Sequence, residues 1–193
     1  MTNRGVLFVL SAPTGGGKTT VAREAIKKLA PKYPIDKVTT YTTRPPRNHE
    51  LNGVDYHFVT EEDFLCKQDQ GFFIETTFYD GFLYGSPRSI LHELDQGRSF
   101  LMVTDRPGAK IIKQELPGAV LIWLGVPDIS TVADRLHQRG TEDDETLERR
   151  IELASREIAE EDKAPLFDHH IMNQNLDEAV NKLVSLITTS VVQ

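Results

Sequence analysis

The apolar run Gly5-Val6-Leu7-Phe8-Val9-Leu10-Ser11 leads directly into Ala12-Pro13-Thr14-Gly15-Gly16-Gly17-Lys18-Thr19. A buried strand that enters a glycine turn, with a helical pattern opening at Lys18, is the strand–loop–helix order of a phosphate-binding loop. The glycines let successive backbone N–H groups converge on one point without Cβ clashes. The start of the following helix adds partial positive charge at that point. Lys18 has the reach for β- and γ-phosphates, and the Thr19 hydroxyl suits an Mg²⁺ ligand. Ala12 stands where the usual pattern has its first glycine and is the smallest replacement for it.

Further apolar runs at 99–104, 118–124 and 168–172 predict buried strands. Between them, helical spacing predicts helices over 18–30, 107–115, 128–138, 145–160 and 176–189. Asp128 or Ser130, and Asp177, are the expected cap or first-turn residues. This alternation predicts one α/β domain with a parallel sheet, helices on both faces and a site at the carboxyl ends of the strands. The stretch 36–86 breaks the pattern. Its β-branched segment 37–43, alternating segment 54–59 and aromatic segment 72–78 predict short strands of an inserted lobe, with a small helix at 61–69. The charged stretch 139–150, with Gly140 and an acidic run, reads as an irregular lid.

Charge narrows the partners. Lys and Arg number 22 against 29 Asp and Glu, a net charge of −7, which argues against nucleic-acid binding. An anionic substrate then needs local arginines, and Thr42-Thr43-Arg44-Pro45-Pro46-Arg47 supplies two, presented at a restricted spacing by the prolines. Glu75 sits inside an apolar, aromatic run, where a buried carboxylate is costly unless paired. The single Cys66 excludes an intramolecular disulfide and a multi-cysteine zinc site. No signal-peptide pattern and no run of membrane-spanning length is present, so a cytoplasmic protein without membrane partners is expected. His169-His170 lacks a further ligand at metal-binding spacing, and the acidic run 157–162 reads as a solvated helix end.

Several motifs recur together in one family. The glycine loop, the Thr42–Arg47 segment, Glu50-x-x-Gly53-x-Asp55-Tyr56-x-Phe58, Gly71-x-Phe73-Ile74-Glu75, Tyr84-Gly85-Ser86, Asp105-x-x-Gly108-Ala109 and Arg135-Leu136-x-x-Arg139-Gly140 resemble guanylate kinases in order and spacing. The resemblance runs through nearly the whole chain, to Phe167-Asp168 and Asn173. It implies a P-loop NTPase fold: a three-layer αβα core with a parallel central sheet, an inserted mixed-β GMP-binding lobe and a small helical lid. The core would span about 1–35 and 91–193, the lobe about 36–90 and the lid about 138–150. It implies transfer of the ATP γ-phosphoryl group to GMP or dGMP, with Mg²⁺ as cofactor.

By the same resemblance, ATP would be held by Ala12, Pro13, Thr14, Gly15, Gly16, Gly17, Lys18, Thr19, Thr20 and Asn173, and Mg²⁺ by Thr19. Arg44, Arg47, Tyr56 and Tyr84 would grip the GMP phosphate. Glu75, Thr40, Ser86 and Asp105 would surround the guanine, with Thr40 where serine is usual. Lys18, Arg135, Arg139 and Arg150 would meet the transferred phosphoryl group. The partners implied are small nucleotides, and the protein would be a monomer or homodimer. Three departures stand out: Val103-Thr104-Asp105 replaces Asp-x-Asp, Arg106-Pro107 replaces an aromatic and a glutamine, and 78–83 lacks an asparagine-tyrosine pair before Tyr84. Two alternatives remain open: a kinase of this fold with another acceptor, such as a ribose bisphosphate, and a non-catalytic binding module. The kept Glu75, Ser86 and Asp105 weigh against the first, and the intact loop and arginines against the second.

Overall fold

The strand β1 (Leu7–Ser11) is buried at all five positions, so it needs strands on both edges and layers on both faces. A computed structural model describes residues 4–48, 50–139 and 143–191, with the side chains of Arg139 and Val191 outside the description. After β1 come α1 (Lys18–Leu29), β2 (Asp36–Lys37), β3 (Tyr41–Thr42), β4 (His57–Phe58), α2 (Glu61–Asp69), β5 (Phe73–Tyr79), β6 (Phe82–Pro87) and α3 (Ile90–Asp95). The chain continues through β7 (Phe100–Val103), α4 (Arg106–Glu115), β8 (Val120–Gly125), α5 (Ile129–Arg139), α6 (Asp144–Lys163), β9 (His169–Met172) and α7 (Leu176–Val191).

One sheet runs β2-β7-β1-β8-β9 and is parallel throughout. Side chains alternate across β1. Phe8 and Leu10 pack with Val21 and Ala25 of α1 and Leu183 of α7, while Leu7 and Val9 pack with Ala109 and Ile112 of α4. Helices therefore cover both faces, the three-layer αβα arrangement that the alternation predicts. Each of these side chains larger than alanine contributes about 1.5–3 kcal/mol through removal from water. The second sheet, β4-β3-β6-β5, is mixed. Its β5–β6 hairpin closes through Asp80-Gly81 at φ 50° and 86°, a two-residue turn whose positive φ angles suit strand twist.

Several local expectations are corrected. The segment 37–43 is not one strand: β2 pairs with β7 in the central sheet, whereas β3 pairs with β4 and β6 in the second. The segment 54–59 yields only His57–Phe58, because Leu51 to Asp55 forms a turn in which Asp55 Oδ2 accepts the Leu51 N–H at 2.8 Å. The stretch expected to be irregular is helical from Asp144, since Asp143 caps α6 by accepting the Thr146 N–H at 2.8 Å; 140–142 lie outside the described residues. Asp128 caps α5 by accepting the Thr131 N–H at 3.0 Å. Asp177 lies in the first turn of α7, as expected, and Asn175 caps the helix by accepting the Glu178 N–H at 3.1 Å. Among the described residues no helix is long and apolar enough to cross a membrane.

The acidic run 157–162 is a solvated end only in part: Glu160 and Asp162 are exposed, but two of its carboxylates are not. Glu157 and Glu161 are only 5% and 2% exposed. One helical turn apart, they share the inner face of α6. Glu161 accepts the Leu166 N–H at 3.0 Å and pairs with Arg106 at 3.1 Å, and His170 Nε2 lies 3.0 Å from it. These donors make the burial of its charge tolerable.

Candidate active site

The glycine loop joins the carboxyl end of β1 to α1. Gly15 and Gly17 adopt φ 72° and 89°, where glycine carries no Cβ penalty. A Cβ on Gly17 would also stand 2.7 Å from Asn173 Nδ2. Gly17 is the N-cap of α1 and supplies no side chain to cap it. The first N–H groups of α1 therefore remain available to an anion. The rest of the loop is braced by long-range contacts. Gly16 O accepts Asn173 Nδ2 at 2.8 Å and Arg135 Nη1 at 3.3 Å. Thr14 N–H donates to Glu157 Oε2 at 2.8 Å, and Thr14 Oγ1 accepts Arg150 Nη2 at 3.0 Å. Lys18 Nζ donates to Ala12 O at 3.2 Å. Ala12 and Pro13 form the buried base of the loop.

A cleft opens between this loop and the second sheet. The loop contributes Thr14, Gly15, Gly16, Gly17, Lys18 and Thr19; the lobe contributes Thr40, Arg44, Arg47, Tyr56 and Tyr84. Val103, Thr104 and Asp105 enter from the end of β7, and Tyr79, Asp80 and Arg150 complete the wall.

Glu50 organises the two arginines. Arg44 Nη2 donates to both Glu50 carboxylate oxygens at 2.9 Å, while Nη1 donates to Pro45 O at 2.8 Å. Its guanidinium also lies 5.4 Å from the centre of the Tyr56 ring. Arg44 is buried, Arg47 is exposed, and the Arg47 N–H donates to Glu50 Oε2 at 2.9 Å. Tyr56 and Tyr84 meet edge to face at 6.2 Å. Burial, together with Tyr84, pushes the Tyr56 hydroxyl up to about 12, so it stays a neutral donor at physiological pH.

Glu75 and Ser86 lie buried beside this wall rather than in it. A bulge between Phe73 and Glu75 shifts the β5–β6 register so that Glu75 faces Ser86. Ser86 Oγ donates to Glu75 Oε1 at 2.7 Å, and Glu75 Oε2 has no hydrogen-bond partner among the described residues. Burial pushes the Glu75 carboxyl up to about 7, with Ser86 opposing and Asp105 adding to the rise. Asp105 caps α4 by accepting the Gly108 N–H at 2.7 Å, and its other oxygen accepts the Thr77 hydroxyl at 2.8 Å. Burial raises its carboxyl as well. A Cβ on Gly108 would fall 2.3 Å from Thr104 Oγ1 and 3.0 Å from Glu75 Oε2, so the close approach requires glycine.

Not every expected residue reaches the cleft. Thr20, Arg135 and Asn173 line a separate hollow with Gly15 and Gly17. The Arg139 side chain lies outside the described residues. Four contributors escaped the sequence reading: Thr77, Tyr79, Asp80 and Glu157. Burial raises the Tyr79 hydroxyl, as does nearby Glu157. Only Asp80 carried a local signal, as the first residue of an Asp-Gly turn.

A braced phosphate loop at the strand ends of a parallel α/β sheet, opposed by an arginine–tyrosine lobe, defines a nucleotide kinase. A family model described as guanylate kinase matches residues 4–190. The guanylate kinase of Nitratidesulfovibrio vulgaris is 39% identical over 180 residues, 93% of this chain and 84% of that protein. That of Thermotoga maritima is 35% identical over 188 residues, 95% of this chain and 86% of that protein. A crystal structure of guanylate kinase from Anaplasma phagocytophilum superimposes with a TM-score of 0.81 at 27% identity, over 100% of this chain and 89% of that one. The chain belongs to the guanylate kinase family.

Proposed function

We propose that this protein transfers the γ-phosphoryl group of ATP to GMP or dGMP, leaving ADP and the nucleoside diphosphate. The observation that carries the reading is the unpartnered, buried Oε2 of Glu75 with Ser86 on its other oxygen. Guanine presents two adjacent donors, N1–H and N2–H₂, to such a carboxylate. Adenine would present an acceptor at N1, and mispaired buried polar groups discriminate by several orders of magnitude. The kept base-reading groups disfavour a ribose bisphosphate acceptor, and the braced loop with its lysine disfavours a mute binding module.

Arg44, Arg47, Tyr56 and Tyr84 hold the acceptor phosphate by charge-assisted hydrogen bonds. The loop N–H groups and Lys18 hold the donor phosphates. An acceptor phosphate oxygen attacks Pγ in line as the bond to the ADP oxygen breaks. That oxygen is already anionic, so no general base is needed. Arg150, in the cleft wall, meets charge spread over the transferred group, and Arg135 and Arg139 are assigned there by the family resemblance alone. The hollow beside Asn173 suits the adenine. Among the described residues no cluster of three or more His, Cys, Asp or Glu is placed to cage a metal. That fits Mg²⁺ bound through ATP phosphates, the Thr19 hydroxyl and waters rather than by carboxylates. When bound, Mg²⁺ neutralises charge on the β- and γ-oxygens. A cytoplasmic setting goes with these substrates.

A coupled ADP-release assay across GMP, dGMP, AMP, UMP and CMP tests the reading. GMP and dGMP are expected to exceed the others in kcat/KM by roughly a thousandfold or more. A flat profile across the bases would overturn it.

A further inference from the structure

Asp80 sits at the tip of the acceptor lobe, in the β5–β6 turn, and is the only non-glycine residue at positive φ among the described residues. Its carboxylate reaches two arginines of α6. Arg149 Nη1 lies 2.7 Å from Oδ1, and Arg150 Nε lies 3.6 Å from Oδ2. Arg150 Nε and Nη2 also donate to Thr14 Oγ1 at 3.3 and 3.0 Å. The acceptor lobe is thus linked through Arg150 to the donor-phosphate loop. Asp80 and Arg150 are largely enclosed, at 18% and 8% side-chain exposure, so their attraction is less screened than at an open surface. A carboxylate between two neighbouring guanidinium groups offsets their repulsion, and of the two only Arg150 lines the cleft.

We infer that Asp80 is a positioning residue: the Arg149–Asp80–Arg150 bridge holds the Arg150 guanidinium against Thr14 and couples its placement to the position of the acceptor lobe. This rests on the reading of Arg150 as a ligand of the transferred phosphoryl group. With the bridge in place, Arg150 is set before the donor phosphates arrive. Without it, the guanidinium must be ordered during the reaction. Misplacement by an ångström is enough to slow such a step strongly.

The test compares the parent with Asp80→Asn, Asp80→Glu and Arg149→Gln, and with the double variant Asp80→Asn/Arg149→Gln. Steady-state kinetics are combined with calorimetric binding of Mg²⁺-loaded β,γ-imido-ATP and with thermal melts. In Asp80→Asn, kcat is expected to fall roughly tenfold to a hundredfold with the KM for GMP held within about threefold. The analogue is expected to bind about threefold to tenfold more weakly. Asp80→Glu should recover part of the loss, and the double variant should be no worse than the poorer single one. Three results overturn the inference: kcat within about twofold of the parent, analogue binding unchanged or tighter, or a raised KM for GMP with a lowered Tm, which marks a merely structural role. A parent that does not turn over GMP overturns the proposed acceptor instead. The analogue titration alone then decides the bridge, with weaker binding in Asp80→Asn supporting it.

Discussion

Glu157 Oε2 accepts the backbone N–H of Thr14 at 2.8 Å, joining the middle of α6 to the glycine loop across 143 residues of chain. Burial raises the Glu157 carboxyl, and Lys18 opposes that rise. The contact satisfies a loop donor that water cannot reach. Glu157→Ala would leave that N–H unpaired and is expected to cost about 1–3 kcal/mol of stability and to weaken ATP binding. Glu157→Gln keeps an acceptor oxygen and should lose less. Urea unfolding of the three proteins checks the order.

Glu75 predicts a pH dependence. Its ordinary value is 4.5, and burial brings it to about 7 in the folded chain. Between those values the folded chain holds a proton that the unfolded chain has released. This group's contribution to stability therefore falls as pH rises through the window. Guanine's donors need the ionised carboxylate, so GMP binding must expel the proton. Affinity for GMP should fall by about tenfold per pH unit below about 7. The GMP phosphate also titrates, near pH 6 by analogy with other phosphate monoesters, and does so equally in Glu75→Gln. Calorimetry from pH 5 to 8 should show that Glu75→Gln lacks the additional acid limb; an identical pH profile would remove Glu75 from base reading.

Arg44 and Arg47 should behave differently despite their common motif. Exposed Arg47→Ala is expected to weaken GMP binding by about 1.5–3 kcal/mol with little change in stability. Arg44→Ala should weaken GMP binding and also strand the Glu50 carboxylate, which is 11% exposed. A further stability loss of about 3 kcal/mol follows from breaking an enclosed pair on one side. Thermal melts alongside GMP titrations separate the two effects, and ATP binding should barely move in either.

Val103 ends β7 half-buried, packed against the core and lining the cleft near Thr19. Val103→Asp is expected to lower the Mg²⁺ concentration for half-maximal activity, because a carboxylate there holds the ion's waters. It should also cost about 1–3 kcal/mol of stability through partial burial of charge. Mg²⁺ titration with a melt of each form tests both; a destabilised variant with unchanged Mg²⁺ dependence would make Val103 purely a core residue.

The loop, the strand β1, buried throughout, the strand β8, buried over its four central residues, and α1 were legible in the chain because their causes are local. Glycine spacing dictates positive φ, and unbroken apolar runs can only be buried on both faces. The proline-flanked arginines were legible for the same reason. Glu50 was visible within a motif, but its grip on Arg44 and Arg47 requires the turn that folds it back.

By itself the sequence determined the glycine loop, the α/β alternation and the motifs shared with the guanylate kinase family. Those depend on neighbours a few positions apart. Tertiary structure alone decided which face of α6 turns inward, and so made Glu157 a loop brace and Glu161 an anchor instead of solvated charges. It also decided that 37–43 divides between two sheets and that Asp80 meets Arg149 and Arg150. The physical reason is common to all three. A charge or a strand edge is favourable or costly according to the partners that distant segments bring to it, and no local pattern encodes which segments those are.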